Sequence, residues 1–318
     1  MSGSGDEGVV TMETAPSENV ARAPNAIPEP ILFRNILMAT DFSKCSERAL
    51  QYASGIAHRY SATLHLFHWV DPTPYRMVGE DAVQTAREAA WRDIQQLDTD
   101  FLVRGLPRNI TDKVVVEDGD LLNVLWRVVA DRSIDLIVIG THGRTGWRKF
   151  ILGSVAEKIF RHASCPVLTV GPNVTRSRGK DDGPHDILFP TDFSPQSQAA
   201  EPYAFSATHR YNGHITLLRV IEHPAEDVLR ERNLIQKARE ELQLLANERQ
   251  APMGKTDMMV KVGPAANVIL RVAAQKNSDL IVVGIRAARV LADRLMWPNA
   301  YRIVCEAACP VLSVRLYE

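Results

Sequence analysis

Three glycines and a serine occur at a spacing that could bind a phosphate group. They are Gly140, Gly143, Gly153 and Ser154, with two residues inside the first gap and nine inside the second. Glycine lets backbone N–H groups approach an anion without a Cβ in the way, and the positive end of a helix favours negative charge. Arg144 adds a cation to the same segment. This pattern predicts an anion site, although the segment could also be only a structural turn.

The elements around this segment must place it at the edge of a sheet. The apolar run Leu136–Ile139 comes directly before Gly140 and predicts a buried strand, off which Gly140 would let the chain turn sharply. Ser154 followed by Glu157 is a capping box, which predicts a helix with Ser154 as its N-cap. The segment is neither a Walker A loop nor a Rossmann GxGxxG fingerprint, so neither of those routes to nucleotide binding is predicted.

The sequence is internally duplicated. NILMATDFS, which begins at Asn35, recurs as DILFPTDFS from Asp186, at an offset of 151 residues. DLIVIG from Asp135 recurs as DLIVVG, and ASCPVL from Ala163 recurs as AACPVL, both at an offset of 144 residues. Tyr60 and the strand after it match Tyr211 at the first offset, which makes four collinear matches. Four such matches do not arise by chance, so we expect two copies of one domain, the second copy being seven residues shorter.

The duplication predicts the domain organisation. We call residues 31–171 repeat 1 and residues 185–318 repeat 2. Residues 1–30 are polar and acidic, with few large apolar side chains, and are expected to form a disordered tail. Residues 172–184 are charged and flanked by prolines, and are expected to form an exposed linker.

Short apolar runs alternate with amphipathic helical patterns in each repeat. In repeat 1 the runs are Ile36–Ala39, Thr63–Val70, Val114–Val116, Leu136–Ile139 and Val167–Val170. Runs of this kind are typical of strands that are buried on both faces. Strands that alternate with helices predict a parallel, doubly wound α/β sheet, whose ligands bind beyond the carboxyl ends of the strands.

The spacing of the glycines and Ser154, with Asp41 at the end of the first strand, resembles the ATP-binding branch of the universal stress protein family. The resemblance covers both repeats, about 270 of the 318 residues. It implies two tandem Rossmann-like domains of the adenine nucleotide alpha hydrolase-like type, each with a five-stranded parallel sheet. It also implies an ATP-binding regulatory protein of the stress response.

The resemblance implies which residues of repeat 1 contact ATP. Asp41 and Val70 would contact adenine or ribose, and Gly119 would lie close to the nucleotide. The complete predicted set is Thr40, Asp41, Val70, Gly119, Gly140, Gly143, Arg144, Gly153 and Ser154. Mg²⁺ is compatible with the phosphates, but no residue indicates its ligands. Two other interpretations stay open on the sequence alone: Asp41 could cap the first helix, and Arg144 could lie on a solvated surface.

Repeat 2 departs from the pattern at the anion site. Ala287 replaces the second glycine, Trp297 replaces the third, and Pro298 replaces the serine. Proline has no N–H to donate, and tryptophan adds bulk where a phosphate would approach. We therefore expect one ATP per chain, in repeat 1, and a mainly structural role for repeat 2.

The last strand of each repeat would leave an open apolar sheet edge. These strands are predicted at Pro166–Val170 and Pro310–Val314. An open edge invites pairing, and two copies on one chain are at high effective concentration. We therefore predict that the two repeats pair within the chain through these strands. A homodimer and an unidentified protein partner are also compatible with the sequence.

The composition bears on the functional class and the cellular location of the protein. The net charge of −1 gives no electrostatic footprint for nucleic acid or an anionic membrane. There is no apolar run long enough for a transmembrane helix and no secretory signal, and the four cysteines have no zinc spacing, so a cytoplasmic location is expected. The alternatives to a regulator are a weak ATP hydrolase or phosphotransferase, and a scaffold without nucleotide. No catalytic residue is assigned, because the loop lacks the second acid that phosphoryl transfer would need.

Overall fold

The computed structural model describes residues 30–75, 77–103, 113–141, 152–174, 183–222, 227–251, 255–286 and 298–316. Strands and helices alternate through both repeats, which confirms the predicted α/β class. Residues 1–29 of the predicted tail and residues 175–182 of the predicted linker lie outside the described ranges.

Repeat 1 contains the five strands that its apolar runs predict. Its elements are β1 (Asn35–Ala39), α1 (Lys44–Tyr60), β2 (Thr63–Val70), a 3-10 turn (Thr73–Tyr75), α2 (Glu80–Val103), β3 (Lys113–Asp118), α3 (Leu121–Asp131), β4 (Leu136–Gly140), α4 (Ser154–His162) and β5 (Val167–Val170). Repeat 2 follows the same order, with β6 (Asp186–Pro190), α5 (Pro195–Arg210), β7 (His214–Ile221), α6 (Val228–Glu248), β8 (Thr256–Val262), α7 (Ala265–Gln275), β9 (Leu280–Ile285), α8 (Pro298–Glu306) and β10 (Val311–Arg315).

All ten strands form one sheet in the order β3-β2-β1-β4-β5-β10-β9-β6-β7-β8. Within each repeat the five strands are parallel, as predicted. Parallel neighbours need helical crossovers, and these crossovers cover the sheet. The chain order reverses at β1, which has β2 on one side and β4 on the other.

The last strands of the two repeats join the halves. β5 and β10 pair antiparallel, with Thr169 opposite Val311 and Val167 opposite Ser313. The Thr169 hydroxyl donates to the Val311 carbonyl at 3.2 Å. This pairing confirms the prediction that each strand covers the apolar edge of the other. We call the paired residues 167–169 and 311–313 the seam.

Two arginine–tyrosine contacts show that the repeats are related by an approximate two-fold axis. Arg59 lies over the Tyr211 ring at 5.5 Å, and Arg210 lies over the Tyr60 ring at 4.3 Å. Arg210 and Tyr211 are the counterparts of Arg59 and Tyr60 at the 151-residue offset. The contact is therefore exchanged between α1 and α5, which pack beside each other on one face of the sheet.

The hydrophobic core forms one layer on each face of the sheet. Alternate residues of β1 point to opposite layers, with Ile36 and Met38 in one and Leu37 in the other. The first layer packs under α1, α2, α5 and α6, and the second under α3, α4, α7 and α8. Each layer contains residues of both repeats, so the core is continuous across the seam.

The cysteines and the helices bear on two expectations from the sequence, the redox state of the thiols and the lack of a transmembrane helix. All four cysteines are free thiols, three of them buried. Over the described part of the chain, no helix combines the length and the apolar character needed to span a bilayer.

Two buried hydroxyls at the seam predict stability changes of opposite sign. Ser313 is 2% exposed, and its hydroxyl has no hydrogen-bond partner among the described residues. Ser313→Ala should raise the free energy of unfolding by about 1 kcal/mol, because a buried unsatisfied hydroxyl is costly. Thr169→Val removes a hydrogen-bonded hydroxyl from the same face of the sheet. This variant should lower the free energy of unfolding by about 1 kcal/mol. Chemical denaturation of both variants measures the effects, and a loss of stability in Ser313→Ala would contradict the first.

Candidate functional site

The carboxyl ends of β1 and β4 lie side by side at the point where the strand order reverses. Clefts at such points are where open α/β sheets bind ligands. Thr40 and Asp41 follow β1, and Thr141 follows β4. The structure therefore brings the predicted residues of the first strand next to the strand that leads into the glycine-rich segment.

Thr40 and Asp41 are held by the turn that leads into α1. The Thr40 hydroxyl accepts a hydrogen bond from the Phe42 N–H at 3.0 Å and donates to Ser46 Oγ at 3.2 Å. Asp41 Oδ1 accepts from the Ser43 N–H at 3.0 Å. Ser43 is the N-cap of α1 and accepts from the Ser46 N–H. The interpretation of Asp41 as the helix cap is therefore wrong, and its half-buried carboxylate is fixed at the strand end.

Val70 and Gly119 lie at the next two strand ends. Val70 is the last residue of β2 and is buried. Gly119 follows β3 with a φ of +112°, a conformation that favours glycine. The Trp69 indole N–H donates to the Gly119 carbonyl at 3.0 Å. This bond ties Gly119 to the end of β2.

Gly140 is constrained by its packing against α1, and the sharp turn predicted after it falls on residues outside the described part of the chain. A Cβ on Gly140 would lie 2.8 Å from the carbonyl carbon of Cys45 and 2.8 Å from the nitrogen of Ser46. These are backbone atoms in the first turn of α1, so no side chain can move away to make room. Glycine is required here because β4 passes against the N-terminus of α1.

The helix that follows the glycine-rich segment begins one residue earlier than predicted. Gly153 is the N-cap of α4, and Ser154 is the first helical residue, so the predicted capping box is not formed. Glu157 Oε1 instead accepts from Arg161 Nε at 2.9 Å. The Gly153 N–H donates to the Thr141 carbonyl at 2.8 Å, which holds the start of α4 beside the end of β4. Glycine has no side chain to cap the helix, so the first N–H groups of α4 receive no hydrogen bond from the N-cap residue.

His68 is a neighbour of the site that the sequence did not indicate. One of its ring nitrogens lies 2.8 Å from the Thr40 carbonyl, and its ring packs against Phe42 at 4.8 Å between centroids. Its counterpart at the 151-residue offset is Arg219, which lies over the Phe193 ring at 5.7 Å. The duplicated DFS motif gives no signal for this residue, because it lies on the neighbouring strand.

Repeat 2 has a cavity at the corresponding strand ends, with a volume of about 730 Å³. Asp192, Arg219 and Gly284 are among its lining residues. Burial alone would raise the pKa of Asp192, but hydrogen bonds from Ser194 and Ser197 and the charge of Arg219 outweigh it and lower that pKa. Asp192 is therefore a carboxylate at neutral pH.

A carboxylate of repeat 2 accepts hydrogen bonds from the first turns of two helices in this cavity. Glu222 Oε1 accepts from the Ala265 N–H at the start of α7, at 3.0 Å, and from Asn299 Nδ2 in the first turn of α8, at 3.3 Å. The proline at the N-cap of α7, Pro264, provides no capping side chain. Glu222 therefore caps α7, as the Asp120 side chain caps α3 in repeat 1, and the sequence did not predict this function. Its counterpart at the 151-residue offset is the shorter Asp71.

Four residues of the predicted pattern lie outside the described part of the chain. They are Gly143 and Arg144 in repeat 1, and Ala287 and Trp297 in repeat 2. The remaining predicted residues of repeat 1 lie around the ends of β1 to β4 and the start of α4.

Comparison with known proteins identifies the family of this chain. The sequence profile of the universal stress protein family matches residues 32–171 and 184–315. The chain belongs to the universal stress protein family. Each repeat corresponds to one universal stress protein domain, so the protein is a tandem member.

Relatives support both the single domain and the tandem arrangement. A universal stress protein of Methanocaldococcus jannaschii is 32% identical over 147 residues, which cover 44% of this chain and 82% of that protein. One of Mycolicibacterium smegmatis is 24% identical over 296 residues, which cover 88% of this chain and 96% of that protein. The crystal structure of a universal stress protein from Archaeoglobus fulgidus aligns with 88% of this chain and 98% of its own, with a TM-score of 0.65 and 17% identity. The tandem universal stress protein fold is thus shared.

The close approach at Gly140 predicts a large cost for one added methyl group. Gly140→Ala should lower the free energy of unfolding by about 1–3 kcal/mol, because α1 must move away from β4. Gly55→Ala is the matched control in the middle of α1, where an added Cβ meets nothing within 4 Å. It should raise stability by about 0.5–1 kcal/mol, since alanine favours the helix. Denaturation of both variants is the measurement, and equal effects would contradict the packing explanation.

Proposed function

We propose that repeat 1 of this universal stress protein binds ATP, and that the bound nucleotide controls its assembly or its binding to partners. The observation that carries the proposal is the start of α4, where Gly153 offers no capping side chain and lies beside the end of β4. Phosphate groups bind at helix N-termini of this kind, because several N–H groups and the helix dipole point at the anion.

The proposed ATP-binding residues of repeat 1 form two sets, according to the part of the nucleotide that they would contact. Thr40, Asp41, Val70 and Gly119 are proposed for the adenosine part, since a fixed carboxylate can accept from hydroxyl or amino groups and buried Val70 offers an apolar wall. The phosphates and ribose are assigned to a second set, which consists of Gly140, Gly143, Arg144, Gly153 and Ser154. Mg²⁺ is proposed to accompany the phosphates.

Repeat 2 is proposed to leave ATP unbound for three reasons. Pro298 has no N–H at the start of α8, where phosphate would bind. Trp297 stands in the sequence where repeat 1 has Gly153. Glu222 already places a carboxylate between α7 and α8, and a phosphate there would meet like charge. Its proposed role is to pair with repeat 1.

A regulatory role agrees with the chemistry of the site better than fast catalysis. Phosphoryl transfer needs a metal-holding acid and a positioned base or nucleophile. Asp41 is the acid proposed to contact adenosine, so it is not assigned to either task. Cradling phosphates in the ground state does not by itself lower a barrier. We propose that the protein acts in the cytoplasm through a protein partner, and its four free cysteines suit a reducing compartment.

The first test is the identity and number of bound nucleotides. Mass spectrometry of the ligand released from freshly purified protein should find ATP, and calorimetry of the emptied protein should give one ATP per chain. Gly153→Trp should weaken binding by about 10- to 150-fold, the value of a charge-assisted hydrogen bond to phosphate.

A matched pair of variants serves as the control for the first test. Asp41→Asn should weaken ATP binding, whereas Asp192→Asn, the same change in repeat 2, should leave it unchanged. Two ATP per chain, or full ATP affinity in Gly153→Trp, would contradict the assignment of the single ATP site to repeat 1. A scaffold without nucleotide would show no binding in any variant.

The second test is turnover. With Mg²⁺ and saturating ATP, phosphate release should be slower than about 1 per second, the low end of the usual enzyme range. A faster rate that disappears in Asp41→Asn would identify the protein as an ATP hydrolase instead.

A further inference from the structure

Two side chains of repeat 2 contact the helix that carries the proposed phosphate site of repeat 1. The Tyr301 hydroxyl of α8 accepts from the Leu152 N–H at 3.0 Å. Leu152 is buried and comes immediately before Gly153, the N-cap of α4. The Arg315 guanidinium, at the end of β10, donates to the carbonyls of Phe160 and Arg161 in the last turn of α4. Repeat 2 therefore contacts α4 at both ends.

The Tyr301 contact fixes the backbone just before the anion site. Burial raises the pKa of Tyr301, so its hydroxyl stays neutral and keeps lone pairs for the Leu152 N–H. The Cys305 thiol lies beside the same N–H, and burial raises its pKa to about 11. Sulfur accepts hydrogen bonds weakly, so the tyrosine oxygen is the stronger partner. Loss of that oxygen would leave this buried N–H with the weaker sulfur acceptor and let the turn shift.

The Arg315 contact stabilises the other end of α4. The last carbonyls of a helix have no partner within the helix, and a cation there interacts favourably with the helix dipole. Arg315 is only 8% exposed, so water screens its charge little. Its hydrogen bonds fix the position of the last turn of α4 relative to β10.

The two repeats support each other's helices unequally. The end of α8 receives only a neutral donor from the residues after β5, because Asn173 Nδ2 donates to the Glu306 carbonyl at 3.2 Å. At the 144-residue offset, the counterpart of Tyr301 is Glu157, whose carboxylate binds Arg161 on its own helix. The counterpart of Arg315 is Gly171. A Cβ on Gly171 would lie 3.6 Å from the Val304 carbonyl oxygen at the end of α8, so the backbone is in the equivalent place but offers no cation.

We propose that Tyr301 and Arg315 are positioning residues through which repeat 2 holds the phosphate-binding turn of repeat 1 in place. This inference rests on the proposed function, because it assigns phosphate to the start of α4. Repeat 2 then contributes to ATP affinity without contacting the nucleotide. Its own site has lost phosphate donors, while its α8 and β10 carry the side chains that the other site needs.

The test compares two tyrosine variants of the full chain. Tyr301→Phe removes the acceptor, and Tyr211→Phe is the control at the far end of α5. In Tyr301→Phe, amide hydrogen exchange at Leu152 should become faster, and ATP affinity should fall by about three- to tenfold, as expected for one hydrogen bond. Adenosine affinity should fall much less, because adenosine lacks the phosphates that the turn is proposed to bind. A general loss of protein stability would instead lower the affinity for ATP and for adenosine equally. Tyr211→Phe should change neither exchange nor affinity.

Arg315 provides a second, spectroscopic measurement. Burial and the charge of Arg315 lower the pKa of His162 in the last turn of α4. Arg315→Met should weaken ATP binding about three- to tenfold and raise the pKa of His162 in an NMR titration. Arg315→Lys keeps the charge, so its ATP affinity and its His162 pKa should both lie between those of the wild type and those of Arg315→Met.

The outcomes separate this inference from the proposed function. Unchanged Leu152 exchange, or equal losses for ATP and adenosine in Tyr301→Phe, would overturn the positioning role while ATP binding by the wild type stands. If the wild type binds no ATP, the proposed function and the positioning role both fail, even if exchange at Leu152 becomes faster. Full ATP affinity in both Tyr301→Phe and Arg315→Met would also overturn the inference.

Discussion

The antiparallel hydrogen bonds between β5 and β10 are the constraint on which the rest of the architecture depends. Each repeat ends in a buried strand whose outer edge would otherwise expose unpaired backbone groups. Pairing these two edges makes one ten-stranded sheet and fixes the rotation between the repeats. That rotation places α1 beside α5 on one face, where Arg59 and Arg210 exchange tyrosines. On the other face it brings α8 and β10 against α4.

Most of the fold could be predicted because it depends on patterns that repeat along the chain. The apolar runs predicted the strands of repeat 1, and the two offsets of 151 and 144 residues located their counterparts in repeat 2. The pairing of the last strands followed from the cost of an open edge. Periodicity does not encode which side chains meet across the seam. The contact from Leu152 to Tyr301 joins residues 149 positions apart and has no signature in either repeat.

The site was less predictable, because its details depend on distances between backbones. The residue types around the glycine-rich segment indicated an anion site, but the sequence placed the helix start at Ser154 since serine is a common N-cap. The structure assigns that position to Gly153. The close approach of β4 to α1, which requires glycine at position 140, could not be predicted from the residue types. The role of Glu222 depends on α7 and α8 lying within reach of one carboxylate, which only the folded chain shows.

The covalent link between the repeats has a consequence for how their surfaces can differ. In a dimer of identical chains, every residue faces the symmetric counterpart of its own environment, so a substitution changes both halves at once. In this chain Arg315 and Gly171 occupy matching places, and one is a buried cation while the other has no side chain. Such a pair cannot exist in a strictly symmetric assembly. Fusion therefore allows a division of labour, in which one half gives up a ligand contact and becomes part of the scaffold of the other.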